Sequence, residues 1–205
     1  AGFVRDREAK ADAGLILSAF DEMMVARVVP FVEAAYALER ESIRQQTDCV
    51  QRAFKAQRDF LGYVSRCRCP AREELALLLR ETSDALAEVE DCCDPGSGSR
   101  LHLTMVASGM PCLGWVSVPM NPSAYIGDMI NSIPVYGDKI VAEFRGGGDG
   151  PLHAQFVASF RDMLRGLNEY VRTHHARGLA WNMAGDDLRE VLRAEQAAMP
   201  TPSPP

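Results

Sequence analysis

The stretch "PLHAQFVASFRDMLRGLNEYVRTHH", residues 151–175, carries the pattern that decides the fold. Apolar side chains recur in it every three or four residues, at Val157, Phe160, Leu164, Leu167 and Val171. This spacing places them on one side of a helix, and that side must be buried against other helices. Pro151 suits a first helical turn, where no backbone N–H donor is needed. The stretch therefore predicts a long amphipathic helix inside a helical bundle.

Five more segments show the same periodicity, and no run alternates as a strand would. The first of them starts near Phe20, and the second ends at Pro70. The other three run from Ala71 to about Cys92, from Ser99 to Trp115 and from Tyr125 to Ile140. The boundary between the first two is not located, because neither glycine nor proline lies between Phe31 and Leu61. Short connections between long helices favour antiparallel neighbours. We therefore predict an all-α fold, an antiparallel six-helix bundle.

The two ends of the chain differ in composition from this bundle. We predict a polar linker over residues 1–19, where no signal-peptide core is visible, and the bundle over residues 20–185. Residues 186–205 are predicted to hold a short helical fragment and the start of a proline-rich linker, since "MPTPSPP" has too much proline for helix or sheet.

Charge and hydropathy exclude two classes of partner. The 205 residues carry a formal net charge of −6, which is unsuited to a protein that binds phosphate backbones. No apolar run approaches the roughly 20 residues that a membrane helix needs. We expect no nucleic acid, no membrane span and a cytoplasmic location.

The adjacent histidines raise the question of a metal or acid–base site. Neighbours on a helix lie about 100° apart, so His174 and His175 cannot both ligate one metal from a regular helix. His174 continues the apolar side, whereas His175 is predicted to point away from it. Gly178 lies where the chain leaves the helix and turns. Structural end-of-helix roles are favoured over metal binding or catalysis.

The cysteines and glycines give no stronger chemical signal. Six cysteines occur, but "CRC" and "CC" lack the C-x2-C spacing typical of zinc sites, so free thiols are predicted. Cys67 with Cys69 is the one pair that leaves a metal or redox alternative. "GGGDG", residues 146–150, lacks the lysine and serine or threonine of a phosphate loop and is predicted to be a turn. We expect no enzyme, no cofactor and no metal.

Helix order predicts which connections meet. The segments "CRCPAREE" (67–74), "GWVSVPMNPSAY" (114–125) and "HHARGLAWNMAG" (174–185) should lie at one pole of an up-and-down bundle. The opposite pole, with "CCDPGSGSR" and "RGGGDG", is predicted to be flexible and to lack anchoring side chains. Prolines at the first pole stiffen a contact surface, although Trp115 and Tyr125 are equally suited to plug the bundle end.

Two motifs together resemble a known family. "LGWVSVPMNPSAYIGDM" (113–129) and "HHARGLAWNMAG" are similar to segments of the N-terminal helical folded domain of cyclase-associated protein, CAP. The likeness covers roughly residues 20–190, and Ala176 and Arg177 depart from the family's threonines. The resemblance implies a cytoskeletal, actin-binding module without catalysis. It would act with cofilin (ADF) at the pointed ends of actin filaments to promote depolymerisation and severing. Family members also engage adenylyl cyclase, and profilin or SH3 domains through proline-rich segments.

The resemblance also implies site residues. The positions that match its motifs are Gly114, Trp115, Pro119, Pro122, Tyr125, His174, Gly178, Leu179, Ala180 and Trp181. A structural role at the pole is expected for Trp115, His174, Gly178, Leu179 and Trp181. Contact with a partner is expected for Pro119, Asn121, Pro122, Tyr125, His175, Arg177, Arg68 and Arg72. The alternative for Arg66, Arg68 and Arg72 is that they offset nearby carboxylates.

Two rival functions stay open. One is a helical scaffold of the cytoskeleton or of cAMP signalling that forms a homodimer through a bundle face. A broad exposed apolar stripe would distinguish it. The other is an enzyme that depends on a metal or a thiol and uses His174, His175 or the Cys67–Cys69 pair.

Overall fold

Helices dominate the part of the chain that the structure, a computed structural model, describes, which is residues 14–198. The elements are α1 (14–23), a π-helical turn (Met24–Val28), α2 (Val29–Ala37), α3 (Glu41–Arg66), α4 (Arg72–Asp91), α5 (Arg100–Gly109), a 3-10 helix (Met110–Ser117), α6 (Pro122–Phe144), α7 (Gly150–His174) and α8 (Leu188–Ala198). From α2 to α7, consecutive helices pack against each other, and α2 packs on α7 to close the bundle. The predicted all-α bundle of six long helical segments is confirmed.

The first segment is one continuous helix, α1 to α2, interrupted only by the π-helical turn. Pro30 has no N–H to donate, and the wider turn directly before it accommodates this defect. Residues 14–19 are already helical, whereas the sequence placed the start of the first segment near Phe20. Ile16 and Leu17 pack against the core and draw this part into the helix. Residues 1–13 lie outside the described range.

The boundary that the sequence left open falls at residues 38–40. Glu39 has a φ of 52°, the left-handed conformation that usually ends a helix with glycine. Its N–H donates to the carbonyl of Tyr36 at 3.0 Å, which closes the last turn of α2. Because a glutamate takes the place of glycine, no residue type marks this turn.

The predicted fourth helix changes its winding part-way. Helix α5 ends at Gly109 and continues as the 3-10 helix, which has Pro111 in its first turn. A Cβ on Gly109 would lie 2.8 Å from the ring of Phe160, so the glycine leaves room for this side chain of α7 against α5. Helix α6 then starts at Pro122 after the left-handed Asn121, whose φ is 51°.

The core lies between α2, α3, α5, α6 and α7. Phe31 of α2 contacts Phe156 and Phe160 of α7, with ring centroids 5.5 and 5.2 Å apart. Within residues 14–198, no helix combines the length and apolarity needed to cross a membrane. The predicted helical fragment is present as α8, while the proline-rich end, residues 199–205, lies outside the described range.

We predict that Gly137→Ala destabilises the protein although alanine favours helix. A Cβ on Gly137 would lie 2.7 Å from Cγ1 of Val157, a stiff side chain that cannot move aside cheaply. Overpacking of about 1–3 kcal/mol outweighs the helical gain of about 0.5–1 kcal/mol, so the free energy of unfolding should fall by about 1 kcal/mol. Urea denaturation measures this change.

Gly127→Ala on the same helix is the matched control, because nothing lies within 4 Å of its added Cβ. It should raise the free energy of unfolding by about 0.5–1 kcal/mol. Equal effects of the two substitutions would contradict the assigned contact between α6 and α7.

Candidate partner-binding pole

Three distant segments meet at one end of the bundle, which we call the Trp115 pole (residues 64–72, 115–125 and 174–186). Backbone hydrogen bonds join two of them: Asn182 N–H donates to the carbonyl of Val64 at 3.2 Å, and Asp186 N–H donates to that of Arg66 at 2.9 Å. Gly178 brings in the third, because a Cβ there would lie 2.8 Å from the carbonyl oxygen of Pro119. Its φ of 96° also requires glycine. The predicted convergence is confirmed.

Gln57 of α3 holds the centre of this pole. Its side-chain amide is fully buried and donates to the carbonyl of Leu113 at 2.7 Å. Its Oε1 accepts the indole N–H of Trp115 at 2.9 Å. The Leu113 carbonyl and the Trp115 indole N–H thereby both have hydrogen-bond partners inside the protein, as buried polar groups require. The expected internal position of Trp115 is confirmed.

His175 lies inside the pole, so the prediction that it points away from the apolar side is wrong, while its contact with a partner stays a prediction. It is 4% exposed, its ring lies 4.8 Å from that of Trp115, and its Nε2 is 3.1 Å from the hydroxyl oxygen of Tyr170. The helical angle argument fails because α7 ends at His174, and His175 has a φ of −133° and a ψ of 30°. The backbone therefore turns the side chain back onto the bundle.

Burial makes His175 a neutral imidazole at physiological pH. Desolvation, aided by the neighbouring His174, lowers the pKa of His175 to about 4. His174 itself is half-buried, with its ring 5.2 Å from that of Tyr170. Tyr170 in turn contacts the edge of Phe20 at 5.0 Å. The two histidines thus complete a packed cluster that joins α1, α7 and the 3-10 helix.

The other expected structural residues are only half-buried. Trp181 contacts Phe60 edge-to-face at 5.9 Å, and Leu179 packs against the core. Trp181 therefore covers the end of α3 and leaves part of its ring accessible, in contrast to Trp115.

The expected contact residues divide into accessible and inaccessible ones. Pro119, Asn121 and Arg177 are exposed, as are Arg68 and Arg72. Pro122 is buried as the first residue of α6, in contrast to the exposed position that a contact residue needs. Tyr125 is half-buried, and its hydroxyl donates to the carbonyl of Pro111 at 2.9 Å.

Two exposed methionines belong to the same surface and were not predicted. The side chains of Met120 and Met183 are 81% and 84% exposed. Both occur in non-helical connections, where helical periodicity cannot distinguish an inward from an outward residue. In the sequence, only the position of Met120 between Pro119 and Pro122 indicated that a methionine is exposed here.

The arginines of the pole differ in their partners. Arg66 pairs with Glu195 at 3.0 Å, and Arg68 pairs with Asp187 at 3.5 Å. These pairs agree with the alternative that the arginines offset nearby carboxylates. Arg72 and Arg177 have no ion-pair partner within residues 14–198. These two guanidinium groups are the positive charges that the pole offers to a second molecule.

The opposite pole holds a buried histidine pair that the sequence did not predict. His102 and His153 are buried, with Nε2 of the first 2.8 Å from Nδ1 of the second. His153 also lies 3.2 Å from Asp149 Oδ2, and Phe144 stacks on its ring at 3.6 Å. Burial lowers the pKa of His102 to about 3. Because 51 residues separate the two histidines, only the fold brings them together.

Cys67 and Cys69, the pair that left a metal or redox alternative, differ in their surroundings. Cys67 is buried and bridged through its backbone to Asp186, whereas Cys69 is exposed. All six cysteines are free thiols. Across the described range, no three His, Cys, Asp or Glu side chains form a group able to hold a metal ion.

A family model described as "CAP, N-terminal domain" matches residues 20–179. The chain belongs to this family. Mouse adenylyl cyclase-associated protein 2 is 28% identical over 171 residues, which cover 82% of this chain and 35% of the relative. The adenylyl cyclase-associated protein of Hydra viridissima is 34% identical over 154 residues, 74% of this chain and 31% of the relative. The chain thus spans about a third of the length of the curated CAP relatives that it matches.

Solved structures of CAP N-terminal domains share the fold. That of Dictyostelium discoideum aligns with a TM-score of 0.78 at 23% identity and covers 84% of this chain and 98% of the other. A second structure, whose description states that the CAP N-terminal domain shows variable oligomerisation, has the same TM-score at 24% identity and covers 84% of this chain and 93% of the other. The resemblance that the two sequence motifs indicated is confirmed.

We predict that Gln57→Leu lowers the free energy of unfolding by about 2–4 kcal/mol. Leucine has a similar volume, so the loss reports the indole N–H and the Leu113 carbonyl left buried without partners. Gln45→Leu, which replaces an exposed glutamine of the same helix, should change it by less than about 0.5 kcal/mol. Chemical denaturation of both variants tests the prediction, and similar losses would contradict it.

We predict that the free energy of unfolding decreases as the pH is lowered from about 6.5 to 4. The pKa of His175 is lowered in the folded state, so in this pH range the unfolded chain binds more protons than the folded one. Lowering the pH therefore stabilises the unfolded chain relative to the folded one. The stabilising effect of neutral His175 is complete above pH 6.5. His175→Gln should flatten this dependence, leaving the part due to His102 and His153, whose pKa values burial also lowers, and denaturant midpoints at pH 7.5, 6, 5 and 4.5 measure it. An unchanged slope would show that His175 does not remain neutral.

Proposed function

We propose that this chain is a non-catalytic, cytoplasmic actin-regulatory module that uses the Trp115 pole to bind actin at filament pointed ends. There it acts with cofilin to promote depolymerisation and severing. Membership of the CAP family supports the class of function. The observation that carries the choice of surface is the convergence of three proline-, methionine- and arginine-bearing segments over a packed aromatic cluster.

The pole has the physical properties of a protein-binding surface. Packing beneath it fixes Pro119 and Gly178 against each other, so little conformational entropy is lost on binding. Met120 and Met183 offer adaptable apolar contact area. Arg72 and Arg177 complement an acidic partner and would accelerate association. Adenylyl cyclase, profilin and SH3 domains are further proposed partners of the full-length protein, through segments beyond the bundle.

The test is a double variant, Met120→Ser with Arg177→Glu, on single cofilin-decorated actin filaments. Both side chains are exposed, so folding should be unchanged. We expect the wild-type chain to accelerate pointed-end shortening and the variant to lose at least about tenfold of its apparent affinity, because it removes an apolar contact and reverses a charge. Fluorescence microscopy of individual filaments gives the shortening rate at each end.

The matched control is Val135→Ser with Arg145→Glu, which makes the same kinds of change away from the pole. Val135 is 56% exposed in the middle of α6, and Arg145 is exposed at the opposite pole. This variant should shorten filaments as fast as the wild type. Equal loss in both variants would reject the Trp115 pole as the binding surface, and no acceleration by the wild type would reject the proposed activity.

A second candidate is a scaffold that acts through self-association. Helices α1 and α2 and the π turn between them expose Leu15 (67%), Val25 (69%) and Val29 (45%), the kind of apolar stripe that this alternative requires. The variable oligomerisation described for a solved CAP N-terminal domain favours it too. In the same filament assay, Val25→Glu should abolish activity if self-association is required and should be silent if the pole acts alone.

A further inference from the structure

Helix α8 lies beside the Trp115 pole, against the end of α3 and the start of α4. Asp187 caps its start by accepting the N–H of Arg189 at 3.0 Å. Of the eleven residues of α8, all within the described range, only Leu188 is buried, at 3% exposure. Val191 and Leu192 are half-buried, and they lie on the same side of the helix as Leu188. One side of α8 is thus a short apolar stripe.

Two acidic residues beside this stripe hold arginines of the Trp115 pole. Glu195 accepts a hydrogen bond from the hydroxyl of Tyr63 at 2.7 Å and pairs with Arg66 at 3.0 Å. Asp187, eight residues earlier, pairs with Arg68 at 3.5 Å. The segment therefore covers two arginines of the pole with its own carboxylates. An acidic partner that displaced the segment would gain both guanidinium groups.

The attachment of α8 is weak compared with that of the core helices. The side chains in the pairs of Arg66 with Glu195 and of Arg68 with Asp187 are 42–58% exposed. Ion pairs this exposed contribute little and are screened by salt. A helix of this length is not stable alone in water. Because segments with few buried apolar contacts open far more readily than the core, α8 can leave its place while the bundle stays folded.

The groove in which α8 lies, which we call the α3–α4 groove, is larger than α8 fills. An open space of about 690 Å³ remains between α3 and α4, with Leu192 and Glu195 on its border. Leu17, Phe60, Leu77 and Leu78 form its apolar walls. Leu77 is still 66% exposed there. A helix with larger apolar side chains than those of α8 would bury more of this surface.

We propose that the α3–α4 groove is a docking site for an amphipathic helix of a partner protein, which carries acidic residues beside its apolar stripe, and that α8 is the displaceable occupant. The chemistry of the partner is that of α8: apolar residues three and four apart enter the groove, and carboxylates beside them meet Arg66 and Arg68. Docking there requires neither actin nor cofilin, so it is independent of the pointed-end activity proposed above.

A second copy of this chain is a poorer occupant than a partner helix. The α8 of the copy makes the same contacts as the resident α8, which its own connection holds at a millimolar effective concentration. The copy would therefore displace it only at comparable protein concentrations. A partner helix that also covers Leu77 has more apolar area to bury than either.

The test uses a synthetic peptide of residues 186–198, DDLREVLRAEQAA, as the probe. It is titrated into the whole chain and into a release variant, Leu188→Ser with Glu195→Ser. In this variant α8 loses its buried leucine and its pair with Arg66, while the groove itself is unchanged. We expect a Kd on the order of 0.1–1 mM for the release variant and about tenfold weaker binding to the wild type, because the resident α8 competes. Nuclear magnetic resonance shifts of the Tyr63 and Leu77 amides report binding.

Three substituted peptides test the charges and the open space. The Glu195→Lys peptide should bind the release variant about fivefold more weakly, because its lysine faces Arg66 and cannot accept from Tyr63. The Glu190→Lys peptide is the matched control of equal net charge. Glu190 is exposed and forms neither pair, so this peptide should bind like the original. The Leu192→Phe peptide should bind about threefold more tightly, since this residue borders the open space.

Charge exchange locates the peptide in the α3–α4 groove. When Arg66→Glu is added to the release variant, the Glu195→Lys peptide should bind more tightly than the original peptide, because the charges of the pair are exchanged. Arg66 is 51% exposed, so this substitution should leave the fold unchanged.

Several results would overturn the proposal. Unmoved Tyr63 and Leu77 amides in the release variant would mean that the groove binds no such helix. Equal affinity of wild type and release variant would mean that α8 does not occupy the site. Equal weakening by Glu190→Lys and Glu195→Lys would reduce binding to net charge, and weaker binding of the Leu192→Phe peptide would deny room for a larger helix. A wild-type dimer in light scattering that the release variant loses would assign the groove to a second copy.

Discussion

The buried side-chain amide of Gln57 is the constraint on which the Trp115 pole depends. It satisfies the indole of Trp115 and the carbonyl of Leu113, neither of which reaches water. With Trp115 fixed, the tilted ring of His175 packs against it, and the chain after α7 turns back over the bundle. The proposed binding surface is thus supported from inside the bundle by two hydrogen bonds between α3 and the 3-10 helix.

Helix α3 repeats this device three turns earlier. Gln46 is also buried, and its amide donates to the carbonyls of Val89 and Leu103 at 2.9 and 3.0 Å. The two glutamines therefore connect α3 to α4, α5 and the 3-10 helix through specific, directional contacts. Apolar packing alone tolerates sliding between helices, whereas a buried amide has few satisfactory positions. This explains how a bundle with short connections holds a defined register.

The His102–His153 pair gives the opposite pole a comparable anchor, but the two ends of the molecule differ in what they expose. One end covers its polar cluster with Phe144 and a glycine-rich turn. The other presents methionine, proline and arginine over a packed aromatic base. Rigid support, adaptable contact area and unpaired positive charge thus coincide at the Trp115 pole within residues 14–198, and this supports the choice of this surface in the proposal above.

The sequence by itself determined the helices, their order and the pole at which connections meet, because apolar spacing, prolines and glycine-rich breaks are local signals. The position of Trp115 and the turn at Gly178 followed from the same signals and the family motifs. The sequence did not locate the turn at Glu39 and did not reveal that His175 and Pro122 are buried. Those depend on backbone angles outside regular helix and on partners far away in the chain. Only the tertiary structure decided them, since whether a polar side chain faces inward depends on which distant atom satisfies its hydrogen bonds.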